Sequence, residues 1–118
     1  MKKLFYQAGL DMVYAITRDC DVVQGSRLMD GLTLLYDNYL EEKEKLVGFS
    51  VSPARRLCEK WGIIDGNGSV ELHSILDRLA LEPHTDVQGD AIFQAHRLVS
   101  EHLFPNTRVC LNGPGQGN

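Results

Sequence analysis

The chain lacks the short motifs that announce most enzymes. It has no G-x-S-x-G, no G-x-x-x-x-G-K-[ST] and no H-E-x-x-H. A nucleophile elbow, a phosphate loop and a helix-borne zinc pair are therefore excluded as local motifs. The three cysteines, Cys20, Cys58 and Cys110, are odd in number, far apart and without a C-x-x-C. That pattern predicts free thiols in a reducing compartment, not a disulfide framework. No stretch approaches the roughly 18 apolar residues of a membrane span. After Met1-Lys2-Lys3, Asp11 and Arg18 interrupt the apolar character, so no export signal is expected. Cytoplasmic location is the simplest expectation. An excess of basic charge is lacking too. The net charge is −4: the first 60 residues balance nine basic against nine acidic side chains, and the last 58 carry three arginines against seven carboxylates. A broad phosphate-binding surface needs the opposite sign. Any nucleic-acid contact would have to come from a local patch.

What is present is an ordinary globular composition, 43% hydrophobic and 24% charged, in 118 residues. That is enough for one domain with one core. Leu4 to Thr17 places Phe5, Ala8, Met12, Val13 and Ile16 at helical spacing, although Gly9 weakens it and "DMVYAIT" also reads as a strand. Leu28, Leu32, Leu35, Tyr36 and Tyr39 recur at fours and threes, which predicts a second helix. Val22 extends it backwards with Asp21 as cap, and the "EEKEK" run of Glu41 to Lys45 is its solvated end. A third helix has Ser52 as N-cap, Pro53 at its first position and Gly62 just past its end. Its apolar face is Ala54, Leu57, Cys58 and Trp61, which makes Cys58 a core thiol. Val70 to Leu81 reads as a fourth helix whose start, "SVELH", also alternates like a strand. Thr85 to Gln88 matches a capping box and opens a last helix that runs to about Leu103. Pro105 ends it. "TRVCL" is a short strand or extended segment, and "NGPGQGN" a flexible tail.

The expected architecture is therefore mainly α. Residues 1–105 form one compact bundle of four or five helices, with at most a small wing-like hairpin at 63–72. Residues 106–118 add an extended segment and a glycine-rich tail.

The run "GIIDGNGSVELHSIL", Gly62 to Leu76, offers three readings. The first is a calcium loop, because Asp65, Asn67, Ser69 and Glu71 place oxygens at alternate positions. With Asp65 as position 1, however, positions 6 and 12 are Val70 and Leu76. With Gly68 as position 6, positions 1 and 12 are Ile63 and Ser74. Each register loses a required carboxylate, which leaves at most a degenerate metal-binding module. In the second reading, "GFSVSPARRLCEKWGIIDGNGSVEL" resembles a winged helix in outline. Gly48 to Ser52 would be the turn of a helix-turn-helix and Ser52 to Trp61 the recognition helix. "GII" and "SVEL" would be wing strands joined by "DGNG". Ser52, Arg55, Arg56 and Lys60 would then be the contact residues, although the wing carries Asp65 and Glu71 and no basic side chain. The third reading is a plain helix–helix connection of ordinary length.

The histidines give no local metal pair. His96 and His102 are six apart, about 120° out of phase on a helix, and His96 falls on the apolar side. "GPGQG" has the glycines of an anion loop but no helix after it. With no nucleophile–base or metal signature, the expectation is no enzyme and no cofactor. The leading expectation is a cytoplasmic protein of regulatory, adaptor or inhibitor type that binds another protein, a second copy of itself included. Tyr36 and Tyr39 on the long second helix would be contact residues. A winged-helix transcriptional regulator using Arg55 and Arg56 is the alternative, and the metal module a minor one.

Overall fold

The computed structural model describes residues 3–19, 23–103 and 107–111. The chain folds as a mixed α/β domain, not as a helical bundle. Strands β1 (Lys3–Gln7), β2 (Met12–Ile16), β3 (Gln24–Met29), β4 (Gly31–Tyr36) and β5 (Leu46–Ser52) form one sheet in the order β1-β2-β5-β4-β3, and every neighbouring pair is antiparallel. Helices α1 (Ala54–Trp61), α2 (Leu72–Leu81) and α3 (Asp86–His102) follow. A two-stranded ladder of β6 (Ser69–Glu71) and β7 (Arg108–Cys110) completes the described residues.

Both segments read as the first two helices are hairpins. In the first, Ala8–Leu10 forms a 3-10 turn and Asp11 adopts the left-handed conformation with φ 48. The chain then reverses, so that Phe5 faces Tyr14 and Tyr6 faces Val13. In the second, Asp30-Gly31 is the turn. Gly31 has φ +95, and a Cβ there would lie 3.2 Å from both Leu57 and Leu79. Only glycine adopts that backbone without strain. Leucines on both sides of such a turn imitate a 3.6-residue period, because two alternating strands folded on each other repeat at mixed intervals of two to four. The "EEKEK" run is the β4–β5 loop, with a 3-10 turn at Glu42–Glu44. Asp37 closes this loop: its amide donates to the Lys45 carbonyl and its carboxylate accepts the Tyr39 amide.

The expected helix-turn-helix turn, Gly48 to Ser52, is instead the second part of β5, the central strand. Gly48 is there because a Cβ would stand 2.1 Å from the Ala15 carbonyl oxygen of β2. Pleat alternation sorts the side chains by face. Val13, Ala15, Leu32, Leu34, Phe49 and Val51 point to one side and join Ala54, Cys58, Leu72, Ile75, Leu76, Ala95 and Val99 of the helices in one buried core. Each fully buried residue of leucine or phenylalanine size stabilises the fold by about 1.5–3 kcal/mol. Val109 and Leu111 belong to the same core.

The three helices begin and end close to where their punctuation places them. Thr85 and Gln88 form the reciprocal capping box of α3. Gly62 closes α1 with φ 70, its amide donating to the Cys58 and Glu59 carbonyls. The start of α1 differs from expectation. Ser52 is the last residue of β5, joined to Pro53 by a cis peptide bond, and Pro53 is the cap position without a side-chain cap. The cap comes from across the molecule. Asp11 accepts the Arg55 amide at 2.6 Å, the Arg56 amide at 3.2 Å and the Tyr6 hydroxyl at 2.7 Å, and its carbonyl accepts the Ala54 amide at 2.7 Å. Of the earlier expectations, Asp21 and Val22 as a helix start, Cys20 as a free thiol, Pro105 as a stop and the tail from Asn112 lie outside the described residues.

Asp11→Ala removes this cap and places alanine at a positive φ, so it is expected to cost about 2 kcal/mol. Asp11→Asn, which keeps an acceptor and tolerates the left-handed backbone, is expected to cost less than half of that. Urea unfolding with an unchanged m-value measures both, and an alanine variant as stable as the parent would refute the capping role.

Candidate functional site

The candidate contact residues on and before α1 have different partners. The Arg55 and Arg56 amides are taken by Asp11. The Arg55 guanidinium donates to the Leu111 carbonyl and pairs with Glu59 at 3.5 Å, so it ties the chain after β7 to α1. Arg56 is exposed, and Ser52 Oγ donates weakly to the Leu10 carbonyl at 3.4 Å. Lys60 lies on the rim of a groove of about 510 Å³, lined by Met29, Leu57, Trp61, Leu79 and Glu82. Trp61 Nε1 donates to Glu82 there at 3.3 Å, and the Arg78 guanidinium sits 6.0 Å from the indole. Ser52 and Arg55 are thus tied into the fold, while Arg56 and Lys60, one turn apart on α1, are exposed. Cys58 is buried, and its thiol is pushed up to about 12, first by burial and then by the Asp11 charge. A thiol so protonated is a packing group, not a nucleophile.

The wing is not formed. Ile63 and Ile64 stand outside any strand, and β6 pairs with β7 from the far end of the chain. Three of the four alternating positions of the glycine loop, Asp65, Ser69 and Glu71, face one cation, and it is a guanidinium. Asp65 Oδ1 accepts the Asn67 amide at 2.8 Å and the Ser69 amide at 3.1 Å, and Oδ2 accepts the Ser69 hydroxyl at 2.8 Å. Arg108 then donates to Asp65, to Ser69 Oγ at 3.2 Å and to Glu71 at 3.1 Å. Among the described residues no cluster of three or more His, Cys, Asp or Glu side chains is placed to hold a metal ion. Asp65 is held down to about 2, chiefly by the Ser69 amide and hydroxyl, then by the Asn67 amide, with Arg108 adding to them.

The two tyrosines do not share a face. Tyr36 ends β4 on the helix side of the sheet, half-buried in a groove of about 600 Å³ with Leu46, Val87, Asp90 and Arg97. Burial raises its phenol, and the charge of Asp90 adds to the shift. Tyr39 is at the tip of the β4–β5 loop and is 87% exposed.

Two features escaped the sequence reading. The first is the sheet face turned away from the helices. Phe5, Met12, Tyr14, Ile16, Thr33, Leu35 and Ser50 alternate with the residues of the main core cluster; Leu35 and Ser50 are buried, Phe5 is exposed and the others are half-buried. Phe5 and Tyr14 stack at 5.0 Å between ring centroids with planes 22° apart. In the same cross-strand row come Ser50, Thr33 and then Arg27 of the edge strand β3. The alternation was legible in "FYQ", "MVYAI" and "LTLLY", but only once these were read as strands.

The second is a histidine pair. His73 Nδ1 and His96 Nδ1 lie 3.2 Å apart, with the rings stacked at 5.3 Å, and His96 Nε2 is 3.2 Å from Asp77 Oδ1. Burial lowers the His96 pKa, the Asp77 charge opposes this, and His73 reinforces it. A signal was available: α2 and α3 meet at a four-residue connection, and a helical hairpin folded about His84–Thr85 brings 73 beside 96.

No protein-family model matches this chain, and no curated protein or solved structure matches it.

Because the folded pKa of Asp65 lies below its ordinary value of 3.8, its contribution to stability is present above about pH 4 and lost as pH falls through about 2. The stability gap between the parent and Asp65→Asn is therefore expected to be full near pH 6 and to vanish towards about pH 2. Denaturation across that range, with an NMR titration of the Asp65 carboxyl, checks it. A gap indifferent to pH would contradict the assignment.

Proposed function

We propose that this chain is a non-enzymatic protein-binding domain of regulatory or adaptor type, and that the helix-free face of the five-stranded sheet is the surface on which its partner docks. The observation that carries this reading is the composition of that face. An antiparallel sheet covered on one side ordinarily shows polar residues to water on the other. Here the outward positions of β1 and β2 hold Phe5, Met12, Tyr14 and Ile16, flanked by Lys3 and Gln7, and Leu35 of β4 on the same face is buried. Phe5 remains 42% exposed. Exposed apolar side chains also occur on the helices, Leu81 and Phe93 among them, and Val87 lines the groove beside Tyr36 and Leu46. A contiguous aromatic and aliphatic patch is a different matter. Lys3 at one border suits a partner that brings carboxylates to the rim of an apolar centre, and Arg27 at the other border is paired with the exposed Asp30 at 3.2 Å. The half-buried Thr33 hydroxyl in the middle row supplies a hydrogen-bonding group without adding charge.

A photo-crosslinking side chain at position 5 is expected to give one discrete adduct in native extract. The same group at position 81, on the helix layer and 74% exposed, is expected to give none of that species. Tyr14→Asp is expected to abolish the adduct at position 5 while the circular dichroism stays unchanged. Sedimentation of the purified protein tells self-association from a foreign partner. Equal labelling from positions 5 and 81, or none from position 5, would overturn the reading.

A further inference from the structure

We infer that His73 and His96 form a two-imidazole site for a borderline divalent transition-metal ion, of the Cu²⁺, Ni²⁺ or Zn²⁺ class, that staples α2 to α3. The spacing is the first argument. Two imidazole nitrogens on one tetrahedral ion, each about 2.0–2.1 Å from the metal, stand about 3.3 Å from each other. The two Nδ1 atoms are 3.2 Å apart, so an ion can enter without moving either ring far. The second argument is orientation. His96 Nε2 lies 3.2 Å from the Asp77 carboxylate, which fixes the proton on that nitrogen and leaves the Nδ1 lone pair facing His73. A carboxylate on the distal nitrogen is the usual support of a metal-bound histidine, because it orients the ring and raises its basicity. Asp77 is thus a positioning residue. The third argument is the resident competitor. With the His96 proton on Nε2, the 3.2 Å contact is a hydrogen bond donated by His73 Nδ1. When the His73 proton shifts to its Nε2, the ring stays neutral and both Nδ1 lone pairs face the gap, an arrangement that a cation stabilises.

Imidazole selects this class of ion over calcium or magnesium, which prefer oxygen. Affinity is expected to follow Cu²⁺ above Ni²⁺ and Zn²⁺. The His96 side chain is 27% exposed, so water can reach the ion and complete its coordination. The donors sit on two different helices. Binding therefore stabilises their packing and, by linkage, the fold.

The test uses the untagged full chain. Zn²⁺ titrated into the protein is expected to shift the imidazole NMR signals of His73 and His96 together, saturating at one ion per chain, before those of His84 and His102 move. Zn²⁺ at ten times its Kd is expected to raise Tm by about 5 °C. His73→Ala and His96→Ala are expected to lose that rise, while His84→Ala and His102→Ala keep it. Asp77→Asn is expected to weaken binding about 10- to 100-fold at the same stoichiometry. The NMR experiment needs no variant, so it stands even where a substitution prevents folding. Movement of His84 or His102 first, or no movement of His73 and His96 at millimolar ion, would overturn the proposal.

Discussion

The structure turns on one carboxylate. Asp11 stands in the turn between β1 and β2, and its side chain takes two amides from the first turn of α1 and the hydroxyl of Tyr6. Its own carbonyl takes a third amide, that of Ala54. Four unsatisfied donors at a helix start must find acceptors, and here three of them find one residue of the sheet. The positive φ of Asp11 is the local strain that aims both groups at the helix. The environment records the same contact. Burial, then the hydrogen bond to Asp11, pushes the Tyr6 phenol up to about 12. With α1 held at this point, the glycine loop, β6 and α2 are all launched on the same side of the sheet.

That geometry explains why the helices were legible in the sequence and the strands were not. A helix is punctuated by its own neighbours: Thr85 with Gln88, Gly62 after Trp61, Pro83 after Leu81. Those signals are local and survived. A hairpin is defined by pairing, and its one local signal is the turn. Asp30-Gly31 carried the same turn chemistry recognised at Asp65-Gly66, but the leucines on both sides of it imitated a helical stripe. Gly48 gave no signal at all, since its reason is the Ala15 carbonyl of another strand. The α1 cap was placed on the adjacent Ser52 because a cap some forty residues away leaves no local trace.

The glycine loop shows the same limit from the side of chemistry. Its oxygens do converge on a cation, as their alternation suggested, but the cation is Arg108, 43 residues beyond Asp65. A guanidinium offers five donors in a planar fork and serves several oxygens at once. It fixes β7 beside β6, and β7 brings Val109 and Leu111 into the core. The two candidate-site residues Asp65 and Glu71 thus hold the end of the chain in place, and Arg55 does the same from α1 through the Leu111 carbonyl.

Among the described residues, the helices pack on one face of the sheet, and Phe5, Met12, Tyr14 and Ile16 lie on the other. The central claim is that the β1–β2 part of this face, around Phe5, Tyr14 and Ile16, is open in the isolated protein while its counterpart is sealed. Paramagnetic relaxation by a soluble gadolinium chelate measures that directly. The account expects strong broadening of Phe5, Tyr14 and Ile16 side-chain signals and little of Val13, Phe49 and Val51. Equal protection of the two sets in a monomer would contradict it.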